Sequence, residues 1–176
     1  MNKPESLRAH LLSAVPELRH SPDRLLVFID KGKLRCTAAA SLSWEYGYEL
    51  QIILTDFAGH PDAVMLPLLA WVRTNQSELL VNLDKSAQGI GFEADILDNS
   101  KVDLAITLPL TERVVVKRQP DDTYQLNHVP ESPYTEYQEP ATWQVFAGDE
   151  LLAEWQSGSA GDALALEMPH PGPSRG

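Results

Sequence analysis

Residues 42–55, LSWEYGYELQIILT, put Leu42, Trp44, Tyr46, Tyr48, Leu50, Ile52 and Leu54 on one parity. Ser43, Glu45, Gly47, Glu49 and Gln51 occupy the other, until Ile53 breaks the pattern. Successive side chains of a strand point to opposite faces, so this alternation predicts one long strand with a buried face and a wet face. Gly47, midway, is expected to mark a bend or bulge.

The segments around that strand complete a sheet. Upstream, LLVFI at 25–29 and LRCTAA at 34–39, separated by Asp30-Lys31-Gly32-Lys33, read as two strands joined by a tight glycine turn. Downstream, IGFEADIL at 90–97 and VDLAITLPL at 102–110 alternate with period two, and Asp98-Asn99-Ser100 supplies a turn between them. They predict an antiparallel hairpin. Pro109 is expected to bend the second strand at an edge or to make it restart at TERVVVKR.

Two helices are legible. Asn2 and Glu5 form a capping-box pattern around Pro4, and Leu7, Leu11 and Val15 recur at spacing four until Pro16. PDAVMLPLLAWVRTNQ from Pro61 keeps Val64, Leu68 and Trp71 on one broad face, with Pro67 early enough for a modest distortion. After 118 the composition turns to Pro, Tyr, acids and amides, and then recovers as TWQVF, AGD and ELLAEW. Trp143, Val145, Leu151, Ala153 and Trp155 share one face of that last hairpin, which must pack on its own domain or on another chain because an isolated hairpin is marginal in water.

The expected fold is therefore mixed α/β of the α+β kind, a mostly antiparallel sheet flanked by two helices with a C-terminal β-hairpin arm. Residues 1–118 form the core domain, 119–156 the acidic connection and aromatic hairpin, and 157–176 a flexible tail poor in core-forming residues. The 176-residue length suits this, since a single core grows to about 150 residues before chains divide.

Charge and chemistry narrow the function. The net charge is −11, which argues against nonspecific nucleic-acid binding, since that needs clustered Lys and Arg. Residues 1–35 carry seven Lys and Arg against four acids, whereas 121–156 carry eight acids and no base. Opposite signs at the two ends suit head-to-tail contacts between copies. The lone Cys36 reads as a small apolar filler made in a reducing compartment, and neither an export signal nor a membrane span is expected. Gly89-Ile90-Gly91 opens a strand and is no phosphate loop.

Five dispersed histidines have no metal-ligand spacing, so no metal and no cofactor is expected. Asp56 with His60, in the DFAGH loop, could make an acid-base dyad, and Glu93 with Asp95 could share a proton or a cation. Capping and solvent exposure account for these four residues more simply. What remains fits an assembly protein better than an enzyme.

KPESLRAHLLSAVPEL, SPDRLLVFIDKG, SWEYGYELQIILTDFAG, VMLPLLAWVRTNQSELL, IGFEADIL, LTERVVVK and the closing ELLAEW occur in one consistent order over residues 1–156. Together they resemble the tail completion protein R family of P2-like contractile-tailed bacteriophages. Trp44 and Gly47 depart from an expected phenylalanine and arginine, and the segment after Gln156 is extra.

The resemblance implies a non-enzymatic virion protein, assembled in the host cytoplasm. It implies, by analogy with tail terminators, a homo-oligomeric ring, a hexamer, at the head-proximal end of the tail. Its partners would be its own copies, the tail tube and sheath, and the head-neck connector, with DNA passing through the channel without specific binding. Trp143, Val145, Leu151, Trp155, Arg8, Arg19 and Arg24 are the expected interface residues, and Glu45, Glu49 and Gln51 the expected channel-facing ones. The alternative is an acidic adaptor that binds one partner by strand addition through the 143–155 hairpin.

Truncation after Gln156 is expected to leave the melting temperature within about 5 °C of the full chain, which a thermal melt followed by circular dichroism checks.

Overall fold

The structure, a computed structural model, describes residues 1–36, 42–82, 89–98, 101–131 and 141–156. The tail 157–176, the turn residues Asn99 and Ser100, and 132–140 of the acidic connection lie outside the described residues. The fold is mixed α+β with a mostly antiparallel sheet, as expected. Helix α1 (Lys3–Ala14) is followed by a helical turn α2 (Pro16–His20), a short 3-10 turn (Pro22–Arg24) and strand β1 (Leu25–Cys36). Strand β2 (Trp44–Phe57) leads to α3 (Asp62–Asn75) and the one-turn α4 (Glu78–Val81). Strands β3 (Gly91–Asp98), β4 (Lys101–Arg118) and β5 (Tyr124–Val129) precede the hairpin β6 (Thr142–Ala147) and β7 (Glu150–Gln156).

The main sheet runs β1-β2-β4-β3, with β5 also paired to β4. Strand β4 is its spine. Strand β2 pairs along Val102–Val114 on one side of it, while β3 takes Lys101–Thr107 and β5 takes Arg113–Arg118 on the other. The even positions of β2 and β4 point inward. Leu50, Ile52, Leu54, Leu104, Ile106 and Leu108 are fully buried there against Leu7, Leu11, Val64 and Leu68 of the two long helices.

Three local expectations are corrected. Residues 25–36 form one strand with a bulge between Ile29 and Lys31, not two strands about a turn: Gly32 and Lys33 lie in register with Tyr48 and Gly47. A turn at Gly32 would strip the first half of β2 of its partner on that edge. Gly47 is neither bend nor bulge. It pairs in register with Lys33 and Thr111, and the irregularity of β2 falls between Leu54 and Phe57, where Asp56 adopts φ 52.

Pro109, finally, neither ends nor displaces β4. The Thr111 N–H points away from β2, to Gln76, so Pro109, two residues earlier, turns its donorless nitrogen to the same side. That side is the gap between β3 and β5, where no ladder bond is lost.

Cys36 lies at the end of β1 but is exposed rather than filling the core, with its thiol donating to the Ser43 carbonyl at 3.3 Å. The expected boundary at 118/119 falls between the paired strands β4 and β5. The β6–β7 hairpin packs on α1 and α3 of its own chain, with Ala153 and Trp155 inside the same core. The Trp155 ring stacks on Trp143 at 6.2 Å and meets His10 edge-on at 6.1 Å. Burial lowers the His10 pKa, only partly opposed by its hydrogen bond to the Pro67 carbonyl, so the imidazole beside Trp155 is neutral at pH 7.

Trp155→Ala is expected to cost about 3–5 kcal/mol by leaving a cavity between hairpin and helices, measurable as a lowered midpoint in urea unfolding.

Candidate functional site

The polar centre of the molecule is Glu112. It occupies an inward position of β4 between Leu110 and Val114, and only 5% of it is exposed. A buried carboxylate needs several donors to offset lost hydration, and here they come from three elements. The backbone N–H groups of Asn2 and Lys3 donate to it at 2.7 and 3.2 Å, capping α1. The Tyr48 hydroxyl of β2 donates at 2.5 Å, and His128 Nδ1 of β5 lies 3.3 Å away. The Asn2 side chain makes no cap bond, so the capping box expected from the sequence is replaced by a long-range carboxylate.

Beside it, Lys3 Nζ reaches Gln76 Oε1 at 2.8 Å and Glu131 at 3.0 Å. Gln76, 2% exposed at the end of α3, plugs the gap along β4. Its Oε1 accepts the Thr111 N–H at 3.0 Å and its Nε2 donates to the Thr111 hydroxyl at 3.1 Å. An ionised carboxylate offers about four acceptor positions, and Glu112 has four contacts. This is a structural clasp joining α1, β2, β4 and β5, with no acceptor position left for a substrate.

The other acidic candidates hold loops and faces. The Asp56 N–H donates to Asp103 at 2.8 Å, and its carbonyl accepts from Arg24 at 2.9 Å. His60 Nδ1 instead accepts from the N–H of Asp62 at 3.2 Å, at the start of α3. The Asp56 carboxylate meets Lys101 at 3.5 Å, so Asp56 and His60 are committed to different partners. Gly59, between them, sits where a Cβ would come within 2.7 Å of the Phe57 ring. Glu93 and Asp95 are exposed on the outer side of β3. Among the described residues no group of three His, Cys, Asp or Glu is placed to hold a metal ion, and no helix is long and apolar enough to cross a membrane.

The expected interface residues are dispersed. Arg8 donates to the Pro22 carbonyl at 3.1 Å, Arg19 to the Ser13 carbonyl, and Arg24 to Glu17 at 3.4 Å, so all three brace the α1–β1 connection. Trp155 is buried and Val145 half-buried, whereas Trp143 and Leu151 remain exposed. On the outer face of β2, Glu45 pairs with Arg35 at 2.8 Å, Glu49 lies opposite Lys31, and Gln51 accepts from Thr107 at 3.1 Å. That face carries both signs of charge. The Glu112 clasp escaped the reading of the sequence, although an acid on the apolar parity of β4 was its visible signal.

Comparison with known proteins places the chain among phage tail proteins. The family described as P2 phage tail completion protein R (GpR) matches residues 1–132. The chain belongs to that family. Tail completion protein R of Escherichia phage P2 is 39% identical to it over 157 residues, covering 88% of this chain and 99% of the relative. No solved structure matches. The match to the family spans the Glu112 clasp and every strand of the main sheet.

The clasp makes stability depend on pH at both ends. Burial pushes the Glu112 carboxyl up, but the hydrogen bonds from Tyr48, Asn2 and Lys3 outweigh it and leave the group below its ordinary 4.5. A depressed carboxylate stabilises the fold above the unfolded value, and that contribution is lost as pH falls through the folded one. Burial, then the bond to Glu112 and its charge, raise Tyr48 far above 10, so its contribution holds below pH 10 and fades above it. Glu112→Gln is expected to cost about 1–3 kcal/mol at pH 7 and to flatten the acid limb of a stability–pH profile measured by urea unfolding.

Proposed function

We propose that this chain is a structural tail completion protein of the virion, set as a ring of identical copies at the head-proximal end of the tail. There it ends growth of tube and sheath and permits head joining, while DNA passes through the ring without specific contact. The observation that carries the reading is the match along 99% of tail completion protein R, which gives nearly all of that relative a counterpart here. Two physical features support it. The clasp uses its buried carboxylate for cohesion, and the basic start and acidic finish of the chain favour heterologous contacts, which close into rings. The part of the hairpin's inward-facing side that its own chain leaves uncovered, with Trp143, Phe146 and Leu151, is the surface offered to tube, sheath or connector.

Electron microscopy of lysates from the parent phage lacking this gene tests the reading. Heads separate from tails, with tails of uncontrolled length, is the expected result. Normal-length tails already joined to heads would overturn the completion role. Normal-length tails without heads would retain joining and reject length termination.

A further inference from the structure

Among the described residues three strands of the main sheet have a free edge, β1, β3 and β5, and the first two are opposite in character. Among the described residues β1 pairs only with β2 and β3 only with β4, so each presents an unpaired row of backbone N–H and C=O groups. On β1, residues 30–36 are all exposed and carry Lys31, Lys33 and Arg35 on the outer face, with Leu34 62% exposed on the inner one. On β3, residues 91–97 are all exposed and carry Glu93 and Asp95 on the outer face, with Phe92 64% and Ile96 83% exposed on the inner one. Lysines on an edge strand ordinarily repel a second strand, and an acidic edge converts that repulsion into selection.

We propose that the β3 edge of one copy pairs with the β1 edge of the next copy of this chain, continuing the sheet between copies. The proposal rests on the ring reading above and names its contact. Strands alternate in direction across β1-β2-β4-β3, so a second copy in the same orientation brings its β1 antiparallel to β3. Glu93 lies level with Ala105 and Lys33 with Thr111, so pairing them displaces the next copy by the six residues between those positions on β4. In that one register Asp95 also meets Lys31, Phe92 meets Leu34 and Ala94 meets Gly32, so charge faces charge and apolar faces apolar.

A displacement of six residues is about 20 Å, and four strands per copy span about 19 Å, which tilts the strands by roughly 45° to the ring axis, near the tilt of closed sheets. Strand β5 does not obstruct the contact, because it pairs with β4 beyond the end of β3.

Two charge-reversed full-length proteins test the contact, Glu93→Lys with Asp95→Lys and Lys31→Glu with Lys33→Glu, with circular dichroism confirming the fold and sedimentation velocity in low salt reading mass. The wild type is expected to self-associate, and each variant alone to do so at least about tenfold more weakly. An equimolar mixture of the two, or one chain carrying all four changes, is expected to regain association, since every edge again meets its opposite.

Variants that associate like the wild type, or a mixture and a four-change chain that stay apart, would overturn the pairing while leaving a ring built on another face. A wild type that stays monomeric at high micromolar concentration would also overturn it, and association appearing only after truncation past Gln156 would make the tail the occupant of the edge. The completion role is judged separately, on the particles of the null phage.

Discussion

A single buried carboxylate holds this architecture together. Glu112 stands among leucines and valines on the inner face of β4 and is tolerated because α1, β2 and β5 each bring it a partner. The dependence runs both ways. The N-cap side chain of helix α1, Asn2, makes no capping bond and the last turn holds no basic residue, so the carboxylate under its first N–H groups fixes its start against the sheet. The β6–β7 hairpin packs in turn on α1 and α3, with Trp155 against His10. Sheet, helix and hairpin are thereby joined through one chain of contacts.

The same strand organises the sheet's outer limits. Because β4 is shared by β2 on one side and by β3 and β5 on the other, the sheet has a notch at residues 108–112, closed by the Gln76 side chain and by a proline that has no donor to satisfy. The strands at the edges are β1, β3 and the short β5, and the charges of the first two are opposite. A chain whose acids outnumber its bases by eleven thus carries three of its bases on one edge strand and two of its acids on another.

Much of the fold could be read in advance. The period-two pattern of 42–55 is β2, the Pro61 segment is α3, the 90–110 hairpin is β3–β4, and the Trp143–Trp155 ladder is β6–β7. These elements were legible because each displays its buried face locally, as a periodicity of two or of 3.6. Where the reading failed, the competing force was non-local. Gly32 and Gly47 carry turn and bulge propensity, yet each has a partner across the sheet, and the ladder outweighs the local preference. Cys36 alternates correctly but falls on a stretch of β1 that no helix covers.

The candidate sites divide in the same way. Charge asymmetry, the apolar parity of each strand and the family resemblance all reside in residue order, and they point to the class of protein. Tertiary structure alone decided that Glu112 caps a helix 110 residues away, that Gln76 fills a gap in a sheet, and that Trp155 is spent inside its own domain. The physical reason is that periodicity reports which face of an element is dry. Which distant donor reaches a buried acceptor, and which dry face finds its cover within the same chain, is set by the packing of elements against one another.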